Sequence, residues 1–172
     1  MVFSYYRKLS AAQKRIYEHS DAIITVPLPD AGEPQQLIPL LSSALAREDR
    51  EQVEHICRKL ALGMASRLAV QPLRVKVLAV RPSASWGELH GLYEPAEGRA
   101  SAVISLWMRT AMHRRVVAFK SFLRTLLHEL CHHLDYELYK LPDSFHTEGF
   151  YKRESSLFHQ LVEAQLPVDP NK

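Results

Sequence analysis

Eight consecutive residues, His128-Glu129-Leu130-Cys131-His132-His133-Leu134-Asp135, concentrate the side chains in this sequence that are best suited to chemistry. They contain the pattern H-E-x-x-H. On a helix, positions i and i+4 lie about 40° apart around the axis and about 6 Å apart along it. Two imidazoles so placed can grip one tetrahedral zinc ion, Zn2+. The carboxylate after the first His then stands at the edge of the same face, where it can take a proton from an activated water. The chemistry to expect is metal-assisted hydrolysis, with His128 and His132 as ligands and Glu129 as general base.

That chemistry requires a helix, and the flanking residues supply one from Phe119 to Leu138. Leu123, Leu126, Leu127, Leu130, Leu134 and Leu138 form a broad apolar arc. His128, His132 and Asp135 fall opposite it, within about 60° of one another. Asp135 is placed to orient a His ligand, with a helix-capping or surface role as the alternative. His133 lies off the stripe and reads as a packing or hydrogen-bonding residue. Tyr136 and Tyr151 are candidates to donate a phenol to a developing oxyanion, or simply to pack.

A catalytic zinc site usually has three protein ligands and one open position. Three residues downstream of His132 are candidates: His146 fourteen residues on, Glu148 sixteen on and Glu154 twenty-two on. His146 leads, because imidazole is the commoner zinc ligand and a residue near a helix start can swing back after one chain reversal. Glu154 and Glu148 stay open as carboxylate alternatives.

The elements that must position these groups follow from the rest of the chain. Its 172 residues, 47% hydrophobic and 24% charged, suit a globular protein with a real core. No run of about 18 apolar residues predicts a membrane span. Met1 to Ser10 lacks the apolar stretch of a signal peptide, so a cytoplasmic location is expected. Cys57 and Cys131 make neither a disulfide framework nor a C-x-x-C knuckle. Cys131 reads as a small buried apolar side chain.

Ser10 is a plausible N-cap for a helix over Ala11 to His19. Asp21 to Pro34 reads as an extended connector, with Ile23, Ile24 and Val26 as a short strand. Its extended character also raises the idea that Ile23 to Pro34 lies in the cleft as an inhibitory strand. Gln35 to Leu68 has the periodicity of two helices. Strands are expected over Leu73 to Val80, Gly87 to Glu94 and Ser101 to Trp107, with a turn at Glu97-Gly98 between the last two. Two antiparallel strands ahead of a zinc helix would offer an edge for an extended peptide. After Leu141-Pro142-Asp143-Ser144, read as a break with helix-start chemistry, a last helix runs from about Glu148 to Ala164. The division expected is a helical extension over 1–70, a core over 71–166 and a flexible tail over 167–172. The class is α+β, with a small antiparallel sheet packed on the H-E-x-x-H helix.

Thr125 to His132, followed by His146-x-x-x-Phe150, resembles the SprT-like family of zinc metallopeptidases. The likeness covers roughly Leu73 to Leu161. It implies a zincin-like minimal metalloprotease core, zinc held by His128, His132 and His146, and Glu129 as the base. The family's frequent Cys-rich zinc ribbon has no counterpart here. Thr147 follows His146 where the family usually has Gly. The helical half before the sheet lies outside the likeness.

Two functions are compatible with these residues. One is a zinc endopeptidase acting on a protein or peptide substrate. The other is a non-catalytic, zinc-stabilised binding module that contacts nucleic acid through the basic stretch Arg109, His113, Arg114, Arg115, Lys120 and Arg124. A net charge of +3 permits such contact without demanding it. Glu129 favours the first, because a purely structural site has no use for that carboxylate. The sequence carries no signature of oligomeric state.

Overall fold

The computed structural model describes residues 2–162 and has a mixed α+β fold. A short 3-10 helix, Ser4–Lys8, leads into α1 (Ala11–Ala22), α2 (Gly32–Ala46) and α3 (Arg50–Arg67). Then come β1 (Arg74–Val80), β2 (Ser83–Ala84), β3 (Gly87–Glu88), β4 (Gly91–Glu94) and β5 (Val103–Arg109). Two helices complete it, α4 (Phe119–Glu137) and α5 (Glu148–Val162). The expected tail and the expected end of the last helix lie outside the described residues.

Local signals place several of these elements. Ser10 caps α1 with a full capping box, exchanging hydrogen bonds with Gln13. α2 starts three residues before the expected Gln35, because Pro34 fits a helix's first turn, where its missing N–H has no partner to lose. Asp49 caps α3 by accepting from the Gln52 N–H. Thr147, not Ser144, supplies the start of α5: its hydroxyl accepts from the Phe150 N–H at 2.9 Å.

The expected antiparallel pair flanking Glu97-Gly98 is present as β4 and β5, but the expectation of a wholly antiparallel sheet is corrected. The sheet is three-stranded and mixed, in the order β1-β5-β4, with β1 parallel to β5 and β4 antiparallel to β5. The β4–β5 hairpin turns at Gly98, whose φ of +57° is left-handed. The expected Gly87–Glu94 strand is two pieces. Gly87–Glu88 pairs with Ser83–Ala84 in a separate ladder, and only Gly91–Glu94 joins the main sheet. Central β5 is buried from Ile104 to Met108, as a strand covered on both faces must be.

Both sheet edges have identifiable neighbours. Along β1, side chains of α3 take up the open backbone groups. Arg58 donates to Val75 O, Arg50 donates to Val77 O, and Glu54 accepts from Val77 N. That edge is closed to strand addition. The other edge, β4, runs beside α4.

Ile23 to Val26 is extended but pairs with no strand among the described residues. Side chains bond several of its main-chain groups instead. Gln160 donates to Val26 O and accepts from Leu28 N, and Arg153 donates to Ile23 O. Val26 and Leu28 are buried in the main apolar cluster. That cluster joins α2, α3, β1, β5, α4 and α5, so one core spans residue 70. Among the described residues, no helix is long and apolar enough to cross a membrane.

Candidate metal centre

α4 carries His128 and His132 one turn apart, and it buries Leu123, Leu126, Leu127, Leu130 and Leu134 of the expected arc, while Leu138 is the half-buried C-cap. The helix stops where Lys140 takes a left-handed φ of +53°. The chain then reverses through 141–147 and enters α5. This reversal brings His146 over the two helical histidines. The Nε2 of His146 lies 3.0 Å from Nε2 of His128 and 3.0 Å from Nε2 of His132. Phe150 forms the floor, its ring 4.8 to 5.2 Å from all three imidazoles.

The protonation of this cluster follows from its outer partners. His128 Nδ1 faces the Glu154 carboxylate at 3.1 Å, and a carboxylate only accepts, so Nδ1 carries the proton. Ser144 Oγ donates to Asp135 Oδ2 at 2.7 Å, which leaves it to accept from His132 Nδ1 at 2.7 Å. Both helical histidines therefore turn a bare Nε2 lone pair toward His146. Burial, then the neighbouring His146 and His128, push His132 down to about 3. His146 is lowered too, by burial and then His128. Neutral imidazoles with convergent lone pairs are what a metal ion requires. Tetrahedral zinc sets ligand nitrogens about 3.3 Å apart, close to the observed spacing. Among the described residues, His128, His132 and His146 form the group whose ligand atoms, all within 4.8 Å of one another, could hold a metal ion.

The carboxylate candidates fall elsewhere. Glu154 lies on the Nδ1 side of His128, and its other oxygen pairs with Arg124 at 3.3 Å. Its carboxylate is directed at the outer face of the His128 ring, away from the point where the three Nε2 atoms meet. Glu148 pairs with Lys152 on the surface of α5. Asp135 acts on His132 through Ser144 and is itself held by Arg153 at 2.8 Å. His133 has a structural role, with Nε2 donating to Gln71 O and Nδ1 accepting from the Tyr93 hydroxyl.

Glu129 opens into the same cleft, which has a volume of about 650 Å³ and is lined by β4, α4 and the His146 loop. It is only 7% exposed. Burial pushes its carboxyl up to about 7, against opposing pulls from His128 and the Tyr93 main-chain N–H. Gly91 makes this approach possible. A Cβ there would lie 2.5 Å from Glu129 Oε1 and 2.8 Å from Thr125 Cγ2. Gly91→Ala is therefore expected to displace the carboxylate; if Glu129 is the base of a zinc hydrolase, turnover should fall at least tenfold with zinc content unchanged. Steady-state kinetics paired with metal analysis checks this.

Tyr136 lines the cleft, whereas Tyr151 lies beside His128 and His146 at 6.0 Å between ring centres. The idea of Ile23 to Pro34 as an inhibitory strand is corrected, because that connector packs against α5 and contributes nothing to the cleft lining. In the basic stretch, Arg109 is paired with Glu48, and Arg124 is paired with Glu154 and stacked on Phe158. Cys57 and Cys131 are free and buried.

Sequence reasoning missed Ser144, Tyr93, Gly91 and Arg153. Ser144 was visible only as part of a break with helix-start chemistry, and the others sit in elements with no motif of their own. Comparison with protein-family models, curated proteins and solved structures finds no match to this chain.

Proposed function

We propose that the protein is a zinc-dependent metallopeptidase with a zincin-like core, acting on protein or peptide substrates. One observation carries this reading: three imidazole nitrogens converge, two of them with their protons directed outward, beside a buried carboxylate in an open cleft. His128, His132 and His146 would hold the ion. When bound there, zinc supplies Lewis acidity, which activates water and polarises a carbonyl.

The chain's own groups perform the remaining work. Glu129 accepts the proton of the attacking water and delivers it to the leaving amine. Its elevated pKa brings it near the range where one group can do both. Glu154 and the Ser144–Asp135 pair hold the His128 and His132 rings against rotation. β4 borders the cleft with Gly91, Leu92 and Tyr93, and a strand edge there suits an extended peptide. Tyr136 is the phenol on the cleft wall for a developing oxyanion.

The test is metal content and casein digestion for wild type, His146→Ala and Glu154→Ala. Wild type should hold about one zinc per chain, as a mononuclear centre requires. His146→Ala should lose both metal and activity. Glu154→Ala should keep a site weakened by about 10- to 100-fold, as loss of an outer partner does. Wild type that takes up no zinc on reconstitution would end the enzyme reading.

A further inference from the structure

The three ligands are not supported alike. His128 and His132 share one helix, whose hydrogen-bonded turns fix their separation. His146 sits in an irregular stretch between α4 and α5. Its carbonyl is held from far along the chain, by the Tyr5 hydroxyl, which donates to His146 O at 2.7 Å.

Tyr5 is itself held by an aromatic cluster. Its ring stacks on Phe3 at 6.1 Å and meets Tyr17 edge-on at 5.9 Å. Tyr17, on α1, is 1% exposed and lies 6.2 Å from Phe145, the residue before His146. Phe3 also reaches Tyr151, whose ring lies 6.0 Å from His146. Aromatic contacts of this kind fix geometry at low entropic cost. The neighbouring Tyr6 packs on the same Tyr17 at 5.0 Å, but its hydroxyl bonds Glu18 on α1. Two adjacent tyrosines thus share a cluster, and only one reaches the ligand loop.

We propose that Phe3 and Tyr5 form a clamp that holds the third metal ligand in place, with Tyr5 as its positioning residue. The proposal rests on the three-His zinc reading. In the absence of the Tyr5 hydroxyl the His146 loop has more conformations to lose on binding the ion, so the ion is held less tightly. Removing an outer partner of a metal ligand typically costs about 10- to 100-fold in affinity. A hydrogen bond to the ligand's main chain belongs near the lower end.

The experiment measures zinc affinity by chelator competition for wild type, Tyr5→Phe, Tyr6→Phe and His146→Ala. It adds the thermal unfolding of each metal-free protein and the visible absorption of each cobalt(II) form. Tyr5→Phe should weaken zinc binding about tenfold, shift the cobalt bands and leave metal-free unfolding unchanged. Tyr6→Phe should match wild type in affinity. Wild-type affinity in Tyr5→Phe, while His146→Ala loses the metal, overturns the clamp and leaves the zinc centre standing. So does equal weakening in Tyr6→Phe, or a parallel drop in metal-free unfolding temperature, because either makes Tyr5 a packing residue. Equal zinc binding by wild type and His146→Ala removes the three-His centre, and the clamp with it.

Discussion

Glu129→Gln should abolish peptide hydrolysis and leave zinc in place. The amide matches the carboxylate in size, so the cleft wall of Gly91 and Thr125 is undisturbed. Gln accepts no proton, however, and general acid–base transfer is worth about 10²- to 10⁴-fold in rate. Zinc should remain because the three imidazoles, not this carboxylate, converge on the candidate metal position. Turnover of a peptide substrate, paired with metal analysis, checks both halves. Undiminished turnover would move the base elsewhere in the cleft.

The same variant carries a pH signature in the metal-free protein. The Glu129 carboxyl is raised from 4.5 to about 7 by burial. Between those values the folded state holds more protons than the unfolded chain, so this group's contribution to stability is lost as pH rises. His132 acts in the opposite sense. Its lowered pKa costs stability as pH falls from 6.5 toward 3. Subtracting the Glu129→Gln profile from wild type isolates the first trend. The stability difference should move in favour of the variant from about pH 4.5 to about pH 7.

Arg153→Met should cost about 3–5 kcal/mol of folding stability, the usual result of leaving one member of a buried ion pair alone. Arg153 and Asp135 both have fully buried side chains. The guanidinium also donates to Ser20 O, Ser20 Oγ and Ile23 O. One side chain therefore ties α1 and the following connector to α4. Methionine fills much of the space over Phe150 and Tyr139, where the guanidinium now lies. It replaces none of the four hydrogen bonds. Urea unfolding of the metal-free protein reads the loss. Arg153→Met/Asp135→Asn should recover part of it, because the stranded charge is gone. No recovery would place the cost in the Ser20 and Ile23 carbonyls. Zinc should also loosen in the single variant, since Asp135 steadies His132 through Ser144.

Several features of this protein were legible in its sequence. His128, Glu129 and His132 share one face because a helix of 3.6 residues per turn puts them there, and the leucine arc declares the helix. Ser10 and its capping partner lie within four residues, so the start of α1 was equally visible. Residue type and position put His146 first and the likeness to SprT-like peptidases agreed, while Glu154 stayed open. The structure separates the two: Glu154 meets Nδ1 of His128, and His146 meets Nε2. Only tertiary packing decides which side of an imidazole a distant residue faces.

The sheet was opaque for a similar reason. A strand's alternation records which face is buried, but not which neighbour it joins or in which direction, so the parallel β1–β5 pairing carried no local mark. The connector from Ile23 looked like a strand because extended backbone needs partners, and it found them in Gln160 and Arg153. Helix geometry acts within a turn or two of chain, and by itself it placed His128, Glu129 and His132 together. The approach of His146 to the helical pair, its Tyr5 hydrogen bond and the Arg153 tie depend on contacts between residues over ten positions apart, which only the packed core brings together.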